Sequence, residues 1–167
     1  MSGSPIINLD ELEYARDLRH GDRFEAKLAP IAPKIGARKL GYNVTVVPAG
    51  KRAFPFHNHH ANEEMFFVLE GTGTLRFGDK ELPVRKGDFI CCPCGGPDVA
   101  HQLINTGTGE LKFLAVSTML DTDIWQYPDS GKFGAIGGRQ PGSVPGQATF
   151  SSKFVLEASS VDYWHGE

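Results

Sequence analysis

The stretch that decides the fold is GKRAFPFHNHHANEEMFFVLEG, residues 50–71. Its second half, MFFVLE, is a run of bulky apolar side chains closed by a glycine, the mark of a strand that ends at a turn. Just ahead of it, His57 and His59 are two positions apart. On an extended chain both rings point to one side, with Cα atoms about 7 Å apart. Two convergent imidazoles suit one metal ion. A nearby carboxylate would offset the ion's charge and supply a hard oxygen suited to iron, manganese or zinc. Glu63 and Glu64 both follow closely. Alternation groups Glu64 with Phe66 and Val68, and Glu63 with Met65, Phe67 and Leu69; both faces are apolar, so the period alone does not choose between them. His60 points away from His59 and is expected at the surface or behind the ligands.

Outward from this segment, between Leu40 and Thr118, short β-rich runs alternate with glycine and proline: GYNVTVVPAG, TLRFGD, DFICCP, HQLINTG and LKFLAVST. The pattern is that of an antiparallel barrel or sandwich. Gly71 and Gly73 close one strand, Gly78-Asp79 forms a tight hairpin and Gly87-Asp88 opens another strand. His101 heads HQLIN, shares a face with Leu103 and Asn105, and can approach the first histidine pair across a barrel.

Two ordered motifs make the chain resemble the cupin superfamily. Gly50, His57, His59, Glu64 and Gly71 match the first, with six residues between Gly50 and His57, one more than the commonest spacing. Gly87, Pro93, Gly95, His101 and Asn105 match the second, except that five residues rather than two separate Gly95 from His101, which lengthens the turn before that histidine. The resemblance covers roughly residues 41–117. It implies an all-β chain built on a small antiparallel β-barrel or jelly roll, with one divalent metal ion (zinc, iron, manganese or nickel) on His57, His59, Glu64 and His101. Glu63 is the alternative carboxylate. FPFHNHHANEEMFFVLEG and YPDSGK are also similar to a group of single-domain bacterial cupins described as sugar-phosphate-isomerase-like or uncharacterised. The implied function is a metal-dependent enzyme acting on a small polar molecule, an isomerase or a dioxygenase, with a non-catalytic small-molecule sensor as the alternative. A homodimer is also implied.

The flanks read differently. A short helical segment is expected over Leu9 to Leu18, with acidic residues at its start and Arg16 and Arg19 near its end. APIAPK is too proline-rich for a helix or central strand and is expected to be an extended connector, with the core starting after it. Past Met119, glycine, proline and serine dominate, so an irregular tail is expected, anchored by Trp125 and Tyr127 and carrying Asp129 and Lys132 in a solvated turn. The organisation is therefore an N-terminal extension (1–35), a barrel (36–120) and a C-terminal extension (121–167) packing on the barrel or on a partner subunit.

Composition narrows the partners. With 40% hydrophobic and 22% charged residues and no apolar run of membrane-spanning length, no membrane helix is expected. The net charge of −3, with scattered lysines and arginines, disfavours nucleic acid and anionic lipid, leaving a small molecule as ligand. The N-terminus does not read as a secretory signal, and the three cysteines, Cys91, Cys92 and Cys94, lack the spread of a disulfide framework; both point to the cytoplasm. Cys91 and Cys94 are expected to be free, buried or half-buried thiols. The phenylalanines Phe54, Phe56, Phe66, Phe67, Phe77 and Phe89 are expected mostly in the core.

Overall fold

Three strands from the middle of the chain carry the main buried face: β3 (Leu40–Val47), β5 (Glu64–Glu70) and β10 (Leu111–Thr118). Residues of alternating parity on each point inward, so Val47, Val68, Leu111 and Phe113 meet in one core and are essentially sealed from solvent. The computed structural model describes residues 4–139, 148–151 and 154–167. Among these the architecture is all β, with short 3-10 turns as its helical elements.

The largest sheet has the order β1 (Arg16–His20), β2 (Phe24–Pro30), β3, β10, β5, β8 (Phe89–Cys92). Every pairing in it is antiparallel. A second sheet joins β7 (Lys80–Arg85), β6 (Thr72–Phe77) and β9 (His101–Ile104), and closes the barrel across the core through Leu75, Val84 and Leu103. The β6–β7 hairpin turns on Gly78-Asp79 as expected. Gly78 has φ +56°, and a Cβ there would collide with the carbonyl oxygen of Asp98, so only glycine fits.

A third sheet has the order β13 (Ala148–Ser151), β12 (Lys132–Arg139), β11 (Asp123–Tyr127), β4 (Asn58–His59), with β14 (Val155–Leu156) also on β12. It corrects the expected irregular tail. Glycine and proline shape its turns, but DIWQY alternates cleanly enough to pair with the histidine segment, Trp125 opposite His59 and Gln126 opposite Asn58. Among the described residues, β11 of the C-terminal segment pairs with β4.

Two further expectations change at the N-terminus. The helix over Leu9 to Leu18 contracts to one 3-10 turn, Leu9–Glu11, capped by Asn8; strand pairing takes Arg16 to His20 instead. The core also begins before the APIAPK segment, because β2 ends at Pro30 and buries Ala26, Leu28 and Ala29. Proline is tolerated there at the strand's end, where the chain leaves the sheet. Among the described residues no helix is long and apolar enough to cross a membrane.

Candidate metal centre

The histidine segment and β9 are locked together by backbone. His57 N–H donates to the His101 carbonyl at 3.2 Å and His101 N–H donates to the His57 carbonyl at 2.7 Å, forming an antiparallel bridge. Residues directly opposite in such a bridge present their side chains on one face, and the two rings lie with centroids 4.8 Å apart. The five residues ahead of His101 do not displace it. Pro97–Val99 folds into a single 3-10 turn that absorbs the extra length. The motif glycine and asparagine are joined the same way, Gly50 N–H donating to the Asn105 carbonyl at 2.9 Å, while the Asn105 amide bonds the carbonyls of Val47 and Gly109. Asn105 is thus a turn support.

Glu64 settles the choice of carboxylate. β5 directs Glu64, Phe66 and Val68 inward, and Oε2 of Glu64 lies 3.0 Å from His101 Nε2, 3.6 Å from His59 Nε2 and 3.9 Å from His57 Nε2. The ligand atoms of His57, His59 and Glu64 all lie within 4.8 Å of one another. Glu63 is exposed, on the other side of the strand, its backbone N–H donating to Thr118 Oγ1. His60 is exposed too, its Nε2 2.7 Å from Gln126 Oε1.

The far nitrogen of each ring is also engaged. Nδ1 of His57 faces the Pro55 carbonyl at 2.8 Å, Nδ1 of His59 faces Asp123 Oδ2 at 2.6 Å, and Nδ1 of His101 faces the Val99 carbonyl at 3.3 Å. Asp123 is the functional residue that sequence reasoning missed. It is fully buried, and beyond His59 it accepts from the backbone of Ala61 and Ile124 and the side chain of Asn62. The available signal was the alternation in DIWQY, which puts Asp123, Trp125 and Tyr127 on one face. Trp125 meets the His59 ring edge-on at 6.4 Å, and Tyr127 stacks on His57 at 5.9 Å.

Electrostatics follow from this packing. Burial, then the neighbouring His101, lowers the His57 imidazolium pKa to about 4 despite the opposing pull of Glu64. Burial alone would raise Glu64, but the His101 hydrogen bond and the charges of His59 and His57 hold it down to about 2. Asp123 likewise overcomes burial through its bonds from His59 and Asn62 and sits at about 2. Burial and the Glu64 charge push the Tyr127 phenol up, so it stays protonated at neutral pH.

These contacts test whether a cation suits the residues. A neutral imidazole has one N–H, yet each of the three rings turns both nitrogens toward oxygen acceptors. A second ring proton is opposed at buried His57. A cation among the three Nε2 atoms and Glu64 would leave each Nδ1–H to its own acceptor, the usual arrangement behind metal-bound histidine. The donor set fits.

Behind the rings of His57 and His101 there is little space. A cavity of about 20 Å³ is lined by Ala53, Phe54, Phe66, Leu103 and Phe113 together with His57 and His101, room for about one water. Phe56 is buried beneath the Arg76 guanidinium, 4.0 Å from it, whereas Phe67 and Phe89 pair outside the barrel and Phe89 is largely exposed. Asp129 lies exposed in its turn, as expected, and there takes a bidentate hold of Arg76 at 2.8 and 3.0 Å. Of the three free thiols, Cys91 and Cys94 are exposed and Cys92 is the buried one, since strand β8 turns only Cys92 inward beside Ile90.

Comparison with known proteins agrees with this architecture. A candidate sugar phosphate isomerase from Acidithiobacillus ferrooxidans superposes with a TM-score of 0.77 at 25% identity, over 95% of this chain and 96% of that one. The uncharacterised protein MJ1618 of Methanocaldococcus jannaschii is 35% identical over 72 residues, 43% of this chain and 54% of that protein. An oxalate-binding protein of Thermotoga maritima is 34% identical over 64 residues, 38% of this chain and 50% of that one. The chain thus spans about half the length of these curated relatives. The cupin domain model matches residues 43–117, the segment that holds all three histidines and Glu64. On motif, barrel and match together, residues 43–117 are similar to a cupin domain.

Proposed function

We propose that this protein is a metal-dependent enzyme acting on a small polar molecule, with one divalent ion on His57, His59, His101 and Glu64. The observation that carries the reading is the convergence of three Nε2 atoms on Glu64 Oε2 while every Nδ1 is held by its own acceptor. Bound there, a divalent cation would supply Lewis acidity toward a carbonyl or hydroxyl oxygen of the substrate.

The chain's own groups shape the rest. Asp123 fixes the plane of His59, and the Pro55 and Val99 carbonyls fix the other two rings. The space behind His57 and His101 holds about one water, and Trp125 and Tyr127 flank the histidines on the other side. Tyr127 brings a protonated hydroxyl beside the donor cluster. The likeness to a candidate sugar phosphate isomerase over nearly the whole chain supports isomerisation of a sugar phosphate as the chemistry.

The first test is elemental analysis of protein purified without added metal. Stoichiometric metal in the wild type, lost in His57→Ala, is expected; a metal-free wild type that also fails to load on dialysis refutes the reading. Metal-loaded protein is then screened against sugar phosphates and against catechol-like and diketone substrates. Turnover of the former supports the isomerase and of the latter a dioxygenase, while binding without turnover makes the protein a sensor. We also propose a homodimer, supported by the exposed apolar side chains Val161, Tyr163 and Trp164 near the C-terminus. A monomeric mass by light scattering would reject it.

A further inference from the structure

Lys132 is a cation with no carboxylate of its own. It lies opposite Tyr127 in the β11–β12 register and therefore on the same face of the sheet. Its Nζ sits 5.0 Å from the centre of the Tyr127 ring and 5.6 Å from that of Phe154. The two rings, at 79° to each other, form a corner around the ammonium. No acidic side chain among the described residues is within ion-pairing distance of it. Glu157, beside the strand partner Leu156, is engaged by the Gln126 amide instead. Aromatic faces position an ammonium without neutralising it, so its charge remains available to a ligand.

The position of this charge matters more than its presence. Tyr127 stacks on His57 at 5.9 Å, so the path from the donor cluster to the ammonium is two contacts long: His57 to Tyr127, then Tyr127 to Lys132. The space behind His57 and His101 is about 20 Å³, too small for more than about one water, which leaves the Tyr127 side for a larger molecule held at the histidines.

We propose that Lys132 binds the anionic end of the substrate, a phosphate or carboxylate oxygen, while the substrate's carbonyl or hydroxyl end lies at the His57–His59–His101–Glu64 cluster. The substrate class is accordingly a short oxygenated chain with an oxyanion at one end. Lys132 thereby selects charged over neutral molecules of the same length. The proposal rests on the metal reading above for the far end of the substrate, but its own claim concerns the ammonium.

The experiment titrates metal-loaded full-length protein with glycerol 3-phosphate, glycerate and glycerol by calorimetry, in the wild type, Lys132→Met and Lys132→Arg, with metal content measured on every sample. The wild type is expected to bind at least one of the two anions about tenfold or more tightly than glycerol, as a charge-assisted contact provides. Lys132→Met should erase that preference at unchanged metal content, and Lys132→Arg should retain most of it. Which anion gains tells phosphate from carboxylate. Preference that survives in Lys132→Met, or a wild type with no preference, overturns the proposal. Absence of metal in the wild type would instead sink the metal reading, and the anion-to-neutral ratio still reads Lys132 separately.

Discussion

Asparagine in place of Asp123 changes almost no volume but removes a buried charge that organises one edge of the donor cluster. Oδ2 of Asp123 accepts from His59 Nδ1 at 2.6 Å and from Asn62 Nδ2 at 2.8 Å, while Oδ1 takes the backbone N–H of Ala61 at 3.0 Å and of Ile124 at 2.9 Å. An amide has only one acceptor oxygen, so its NH₂ must face donors on one side or the other, and at least two bonds to a charged group disappear. At about 1.5–3 kcal/mol each, the cost to the metal-free protein is about 3–6 kcal/mol. In a chain of this size that lowers Tm by about 6 °C or more, at roughly 2–4 °C per kcal/mol. A second effect falls on the metal. Freed from its carboxylate, His59 becomes less basic and less fixed in orientation, which costs about 10- to 100-fold in affinity. At saturating metal the stabilisation gained on loading therefore shrinks by about 1.4–2.7 kcal/mol. Scanning calorimetry of wild type and Asp123→Asn, each with and without chelator, measures both terms. A variant that melts within a degree of wild type and shows the same gain on metal loading would refute the assignment of Asp123 as an orienting group.

Other outcomes follow from the same geometry. Glu64→Gln should lose its bound metal, whereas Glu63→Gln should keep it; elemental analysis of the two variants side by side gives the answer. Cys92 is buried and its thiol is pushed up by burial and by the charges of Glu64 and Cys91. Iodoacetamide should therefore label Cys91 and Cys94 in the native protein and reach Cys92 only after denaturation, as peptide mapping would show. Arg76 holds the Asp129 carboxyl below its usual range of about 3.8. A carboxyl with a folded pKa lowered in this way stabilises the fold above its unfolded pKa, and the benefit fades as pH falls through the folded value. The pair is half in solvent, so the effect is about 1 kcal/mol or less; Asp129→Asn should remove this acid-side loss from the pH dependence of stability. Ala at Gly78 combines a positive φ with a collision at Asp98, and a loss of about 1–3 kcal/mol in denaturant unfolding is expected.

The barrel was legible in the sequence because it is made of local signals: alternating strands, the Gly78-Asp79 hairpin and glycines at strand ends. The donor cluster was legible because its members fall in two short motifs. The choice between Glu63 and Glu64 was not, since both faces of EMFFVLE are apolar and only the pairing of β5 between β10 and β8 decides which is inside. The C-terminal sheet was hidden for another reason. Most of its strands have five residues or fewer, glycines interrupt β12, and β11 pairs with the histidine segment across more than sixty positions of chain. The alternation of DIWQY marks a strand but does not say which strand it pairs with. The same blindness concealed Asp123, which reads as one acid among many until β11 lies beside β4. At the N-terminus, a charge pattern suited to a helix was overridden by the hydrogen bonds that β2 offers to β1.

Asp123 also lies outside the segment, residues 43–117, that carries the recognisable domain. The histidine–glutamate cluster and the carboxylate that holds His59 Nδ1 are therefore encoded in separate blocks of sequence. On the metal reading, two proteins that share the barrel but differ at this place would differ in their hold on His59 while every donor stays in position. Comparisons confined to the shared barrel would score such proteins as identical at the metal.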